Sequence, residues 1–313
     1  MIKMQTKHIA IQLMRLFLCV LLIQLSGLAK AAFSRYELAR LRPQYASVPL
    51  GQIEFFRFGQ GSPILLISGY GTTLSSWNRF FLLALAQNHQ VIIFNNRGIG
   101  GSIIRIRSYA TKDLANDVFE LAKALHLPPF TLVGISMGGM IAQQFAILHP
   151  DRLSHLVLIN TAMAGKEGRL PSHFVEDTIF NPPHNKVHRF FTALNLLAPP
   201  AWRLHVAIAL ERERFVPMGY QVPILSDALL HQQQQLVLGW SRDDKSSEQL
   251  AQIKVPVLIL NGGADQVLPP TNSVIMAKII PHAKLLRWAD GGHAMIYQYP
   301  FAIATAINDF IED

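Results

Sequence analysis

Phe130-Thr131-Leu132-Val133-Gly134-Ile135-Ser136-Met137-Gly138-Gly139 runs from a continuous apolar stretch into a serine between glycines, and a helical pattern follows from Met140 to Leu148. A G-x-S-x-G sequence set between a strand and a helix predicts a very tight turn with the serine in a strained backbone conformation. Side chains two residues to either side would collide in such a turn, which is the reason for Gly134 and Gly138. The turn lifts the Ser136 hydroxyl above the sheet. It also aims the Met137 N–H, at a helix N-terminus, at the place where negative charge develops on an attacked carbonyl. The bland alternative is a glycine-rich strand–helix turn without chemistry.

Outward from this stretch, short apolar runs alternate with helix-length segments. Pro63–Ser68, Gln90–Phe94, Leu156–Ile159 and Val257–Leu260 read as buried strands beside Phe130–Ile135, with Lys284–Trp288 as a last strand. Thr111–Leu125 carries Leu114, Val118, Leu121, Ala122 and Leu125 on one helical stripe. The segment Phe33–Pro49 has only a weak, mixed pattern. The alternation predicts an α/β fold, a mostly parallel central sheet flanked by helices with right-handed crossovers.

From about Ala164 to Ser247 the strand pattern stops. Loop signals (Asn181-Pro182-Pro183, Pro199-Pro200) separate apolar helical stretches at Phe190–Leu197 and Trp202–Leu210. This predicts a mainly helical cap insertion at 164–247, dividing the core into 32–163 and 248–313. Phe190, Phe191, Leu194, Leu196, Leu197, Trp202 and Ile208 either line a site for an acyl chain or form the packed interior of the cap. The run Gln232–Gln235 reads as a solvated helix face.

A serine nucleophile needs a base, and the base needs an orienting acid. Asp265 lies in the loop after Val257–Leu260, where such sheets place their reactive groups. His293 follows the last strand behind Gly291-Gly292, glycines that let a loop bring the imidazole close to the serine. The order Ser136, Asp265, His293 is the one this chemistry uses on a strand–helix sheet. Asp290 is a reserve acid, set too near His293 in sequence to orient it easily. A second oxyanion donor is expected from the Gly-rich loop Ser68–Thr73, with the Tyr70 N–H as the candidate.

Residues 1–31 differ from the rest. A basic lead without acids (Lys3, Lys7, Arg15) precedes an apolar run from Leu16, and Ala29-Lys30-Ala31 supplies a small-x-small site. That order predicts a secretory signal peptide and an exported protein, periplasmic or secreted; the competing reading is an uncleaved membrane anchor. The leader holds Cys19, the single cysteine, so Cys catalysis and cysteine zinc sites are excluded from the mature chain. It also holds four Lys/Arg and no acid, so its removal takes the net charge from +8 to about +4. With no basic stripe interleaved with aromatics, nucleic acid is not an expected partner.

Together these residues resemble the α/β-hydrolase superfamily, in particular its capped esterase and lipase-like members, from about Gly51 to the C-terminus apart from the insertion. Ser68-Gly69-Tyr70-Gly71 with Trp77 is similar to the family's His-Gly-x-Gly and following Trp. Asn95-Asn96-Arg97-Gly98-Ile99-Gly100-Gly101-Ser102 is similar to its Asp-x-Arg-Gly-x-Gly-x-Ser, and Gly291-Gly292-His293-Ala294 to its histidine loop. Ser68 and Asn95 depart from the family's His and Asp. The resemblance implies hydrolysis of carboxylic esters, lipid esters included, through an acyl-enzyme on Ser136, with a small-molecule ester as partner and neither cofactor nor metal. A C–C bond hydrolase, an aminopeptidase, an acyltransferase and a non-catalytic binding protein on the same fold are the alternatives.

Overall fold

The apolar runs of this chain are strands because both faces of the sheet are covered. Ile64, Leu65, Leu66 and Ile67 are all fully buried, as are Val91 to Ile93 and Leu156 to Ile159. The computed structural model describes residues 33–105 and 109–313; the signal-peptide reading of 1–31 lies outside them. In chain order the elements are α1 (Arg35–Arg40), β1 (Gln44–Val48), β2 (Gly51–Phe58), β3 (Ser62–Ile67), α2 (Arg79–Leu85), β4 (His89–Phe94), α3 (Thr111–Ala124), β5 (Phe130–Ile135), α4 (Met137–Leu148) and β6 (Leu153–Ile159). Five helices follow: α5 (His173–Phe180), α6 (Lys186–Leu197), α7 (Arg203–Arg212), α8 (Asp227–Trp240) and α9 (Asp244–Gln249). The chain then returns to the sheet with β7 (Val257–Gly262), α10 (Thr271–Ile279), β8 (Lys284–Trp288), α11 (Met295–Gln298) and α12 (Pro300–Glu312).

The eight strands lie in the order β1-β2-β4-β3-β5-β6-β7-β8. From β4 to β8 every neighbouring pair is parallel, while β1–β2 and β2–β4 are antiparallel. The register pairs Ile67 with Gly134, Ile135 with Ile159, and Ile159 with Leu260. The loops that leave β3, β5, β6 and β7 therefore emerge on one edge of the sheet, and α5 to α9 leave from that edge after β6.

The antiparallel β1 and β2 are absent from the sequence expectation, and the reason is visible. β1 buries only Ala46, so it shows no apolar run. In β2 the run Ile53–Phe58 is interrupted by Glu54 and Arg57. Glu54 is nonetheless buried, accepting hydrogen bonds from Asn95 Nδ2 and from Gly101 N–H, each at 2.8 Å. A buried charge with partners reads as polar in sequence and as core in space. At the turn between the two strands a Cβ on Gly51 would stand 1.9 Å from the Ile103 carbonyl oxygen, so the chain can cross only at glycine.

The loop after β4 is tied to α3 by an ion pair. Arg97 Nε and Nη2 donate to the two carboxylate oxygens of Asp117 at 2.6 and 2.7 Å, and Nη2 also reaches the Asp113 carbonyl oxygen. Burial pushes the Asp117 carboxyl up, and the facing guanidinium opposes that shift. Removing one partner of such a pair leaves an uncompensated buried charge. Asp117→Ala is expected to cost about 3–5 kcal/mol of unfolding free energy, read by urea denaturation.

Candidate active site

The turn between β5 and α4 holds Ser136 at φ 56°, ψ −123°, a region that residues with a side chain seldom occupy. Such a residue costs on the order of 1–3 kcal/mol and persists only where its surroundings fix it. Here the Ser136 N–H donates to the Ile159 carbonyl oxygen at 3.0 Å. The Ser136 carbonyl oxygen in turn accepts from Gly139 N–H at 2.9 Å and Thr161 Oγ1 at 2.7 Å. Crowding explains the glycines: a Cβ on Gly134 would meet the Gly138 carbonyl oxygen at 2.3 Å, and one on Gly138 would meet the Ile67 carbonyl oxygen at 2.2 Å.

Three of the residues singled out in the sequence meet here. His293 Nε2 lies 3.0 Å from Ser136 Oγ, and His293 Nδ1 lies 2.8 Å from Asp265 Oδ2. The Asp265 side chain is wholly buried. Its other oxygen, Oδ1, accepts the N–H groups of Val267 and Leu268 at 2.8 and 2.9 Å. Two backbone donors and one imidazole thus fix both carboxylate oxygens and hold the ring in one orientation. Asp290 does not meet His293. It accepts from Tyr299 Oη at 2.6 Å and Trp202 Nε1 at 2.8 Å, and these hydrogen bonds hold its carboxyl below the usual carboxylate range.

The loop after β3 passes against the serine. A Cβ on Gly69 would lie 3.1 Å from Ser136 Cβ and 3.6 Å from Ser136 Oγ. Next in the chain is half-buried Tyr70, whose ring packs edge-on against Phe180 at the end of α5, 5.3 Å between centroids. Burial pushes the Tyr70 phenol up. The Gly71 N–H is occupied by Gln233 Oε1 at 2.9 Å. Gln233 corrects the reading of Gln232–Gln235 as a solvated face: it is buried and ties α8 to this loop.

Asn95 stands where the family resemblance leads one to expect Asp. Its Oδ1 accepts the Leu74 N–H at 2.9 Å, while its Nδ2 donates to Glu54 and, at 3.2 Å, to Tyr220 Oη. An amide at this position can accept the Leu74 N–H and donate to the Glu54 carboxyl at once. Ser68 is buried, and its hydroxyl has no partner within the described residues.

Two supporting residues escaped the sequence reading. Asn160, just past β6 at φ 43°, donates through Nδ2 to the Gly292 and His293 carbonyl oxygens at 2.9 and 3.1 Å and accepts the Gly262 N–H at 2.8 Å. Gln298 accepts the Gly292 N–H at 2.7 Å and donates to the Asp290 carbonyl oxygen at 3.0 Å. Only the polar residue directly after an apolar strand could have signalled Asn160; Gln298 carries no signal at all. A separate cleft of about 760 Å³ between α3, α4, α8 and α9, bordered by Tyr109, Lys112, Gln144 and Arg242, includes none of the three catalytic candidates.

The model of the alpha/beta hydrolase fold matches residues 62–300. The chain belongs to the α/β-hydrolase family. It is 26% identical to a Mycobacterium tuberculosis protein provisionally named non-heme bromoperoxidase BpoC, over 80% of this chain and 94% of that one. Identity is 27% to a poly(3-hydroxyalkanoate) depolymerase of Ectopseudomonas oleovorans, over 80% and 84%. An alpha/beta hydrolase fold protein from Chitinophaga pinensis superposes with a TM-score of 0.74 at 22% identity, covering 88% of this chain and 99% of that one. The last likeness is one of fold.

Asn160→Ala strips the Gly262 N–H and two carbonyls of their partner in a buried position. About 2–4 kcal/mol of stability is expected to be lost, measured by denaturant unfolding. Asn95→Asp sets a second carboxylate against Glu54, so one of the two must hold a proton in the folded state. The folded protein then binds that proton more tightly than the unfolded chain, and the variant's stability deficit widens as pH rises through the raised pKa. Thermal unfolding from mildly acidic to neutral pH, against the parent, reads this; a deficit independent of pH would contradict the account.

Proposed function

We propose that this member of the α/β-hydrolase family cleaves carboxylic esters, lipid esters included, through an acyl-enzyme on Ser136. The observation that carries the reading is the continuous chain from Ser136 Oγ through His293 to the buried Asp265, at 3.0 and 2.8 Å. His293 removes the hydroxyl proton as Ser136 attacks the ester carbonyl, and Asp265 stabilises the imidazolium that forms. The oxyanion is held by the N–H groups of Met137, at the start of α4, and Tyr70. Gln233 supports the choice of Tyr70, because it occupies the neighbouring Gly71 N–H. His293 then returns the proton to the departing alcohol, and water attacks the acyl-enzyme by the same route in reverse. The relative named as a depolymerase accords with hydrolysis as the reaction class.

Turnover of p-nitrophenyl esters from acetate to palmitate tests the proposal. Ser136→Ala is expected to lower kcat by about 10⁴-fold or more and to abolish labelling by a fluorophosphonate. A parent protein that labels at Ser136 yet turns over no ester would replace ester hydrolysis with C–C or peptide hydrolysis or acyl transfer. One that neither labels nor turns over ester would be a binding protein on this fold.

A further inference from the structure

Exposed apolar surface is concentrated on one segment of this molecule. Of sixteen large apolar side chains that stand exposed among the described residues, nine lie between Phe174 and Ile224. On α6, Val187, Phe190 and Phe191 occupy positions i, i+3 and i+4 and so share one helix face. They are 65%, 43% and 55% exposed, and the two phenyl rings touch, 5.6 Å between centroids. On the neighbouring α7, which packs against α6, Leu204 and Ile208 stand one turn apart, 75% and 49% exposed. Of the apolar residues singled out here from the sequence, Leu194 and Leu196 are buried, while Phe190, Phe191 and Ile208 are exposed and so are not the packed interior of the cap.

The α6 part of this span is basic. From Asn181 to Leu210 the chain carries Lys186, Arg189 and Arg203 and no Asp or Glu, and the last turn of α7 adds exposed Glu211 and Arg212. Lys186 and Arg189 are exposed on the turn that bears Val187 and Phe190. Apolar rows flanked by cations match an anionic lipid surface. The rings and aliphatic chains enter the acyl boundary, while the cations meet headgroup phosphates. A second copy of the chain matches less well, since a two-fold contact sets Lys186 and Arg189 of α6, a helix without Asp or Glu, against their own copies.

The location gives the surface a purpose. Just before α6, Phe180 rests on Tyr70; at its end, the Leu197 carbonyl oxygen accepts the Ala294 N–H at 3.0 Å. The apolar row therefore lies on the element strung between the loop beside the serine and the loop of His293. We propose that α6 and α7 form a docking surface for anionic lipid bilayers, which seats the protein with its candidate active site turned towards the lipid. The proposal goes beyond the esterase reading and does not depend on Ser136.

The test is flotation of the full chain with phosphatidylglycerol or phosphatidylcholine vesicles, combined with hydrogen exchange at the amides of residues 187–194. Docking predicts stronger partitioning to the anionic vesicles and slower exchange at those amides when they are present. Lys186→Gln/Arg189→Gln is expected to weaken partitioning by about 25-fold, roughly fivefold for each cation lost at an anionic surface. Phe190→Ser/Phe191→Ser, at exposed positions that leave the core intact, is expected to remove the slowing of exchange. Unchanged exchange with anionic vesicles overturns the proposal, even where the chain floats with them through another segment. So does a slowing that depends on protein concentration and needs no vesicles, which would make the face a contact between copies. Ser136→Ala is expected to dock as the parent does, so docking without turnover, or turnover without docking, separates this inference from the esterase reading.

Discussion

The backbone of one residue governs the rest of this structure. Ser136 sits at a positive φ because β5 must turn into α4 within a single residue, and only a crowded, glycine-lined junction permits that. The conformation is uphill locally and is held by hydrogen bonds from three directions: the end of β6, Thr161 and the first turn of α4. Because Gly138 lies against the Ile67 carbonyl, the same junction fixes the distance between the serine and the loop after β3. The nucleophile candidate and its proposed oxyanion donors are thus located by main-chain packing, before any side chain is placed.

The base and acid candidates depend on a second layer of constraint. Asp265 is fixed by two amides of its own loop, an arrangement internal to a few residues. His293 is different: its place is set from outside its own loop, by Asn160 just past β6 and Gln298 of α11. Asn160 also grips β7 through the Gly262 N–H. A single amide side chain therefore joins the strand that carries the acid to the loop that carries the base, and neither can shift far without the other.

What could be read from the sequence follows from how local each feature is. The strand–turn–helix around Ser136, the six apolar strands and the order of Ser136, Asp265 and His293 are encoded in short contiguous stretches, so they were legible. The hairpin of β1 and β2 was not, because its apolar face is masked by Glu54, a charge whose partners lie across the sheet on the β4 side. Asn95 looked like a defect for the same reason: only in space does it face that carboxylate. Gln233 was misread because four glutamines in a row look alike although they run from buried Gln233 through half-buried Gln232 and Gln234 to exposed Gln235, and burial of a single polar side chain leaves no periodic trace.

The insertion is fastened to the core in places that matter mechanically. Gln233 holds α8 to the loop after β3, Trp202 and Leu197 hold the α6–α7 junction to the loop of His293, and Glu213 grips Asn78 and the Arg79 N–H at the start of α2. Between these anchorages the first two turns of α6 are the least covered part of the insertion's helices: residues 184–191 are all exposed. Lifting α8 or the α6–α7 junction drags on the loops that frame the serine. The start of α6 is joined to Phe180, which rests on Tyr70, so a guest that displaces those turns pulls on the loop beside the serine as well.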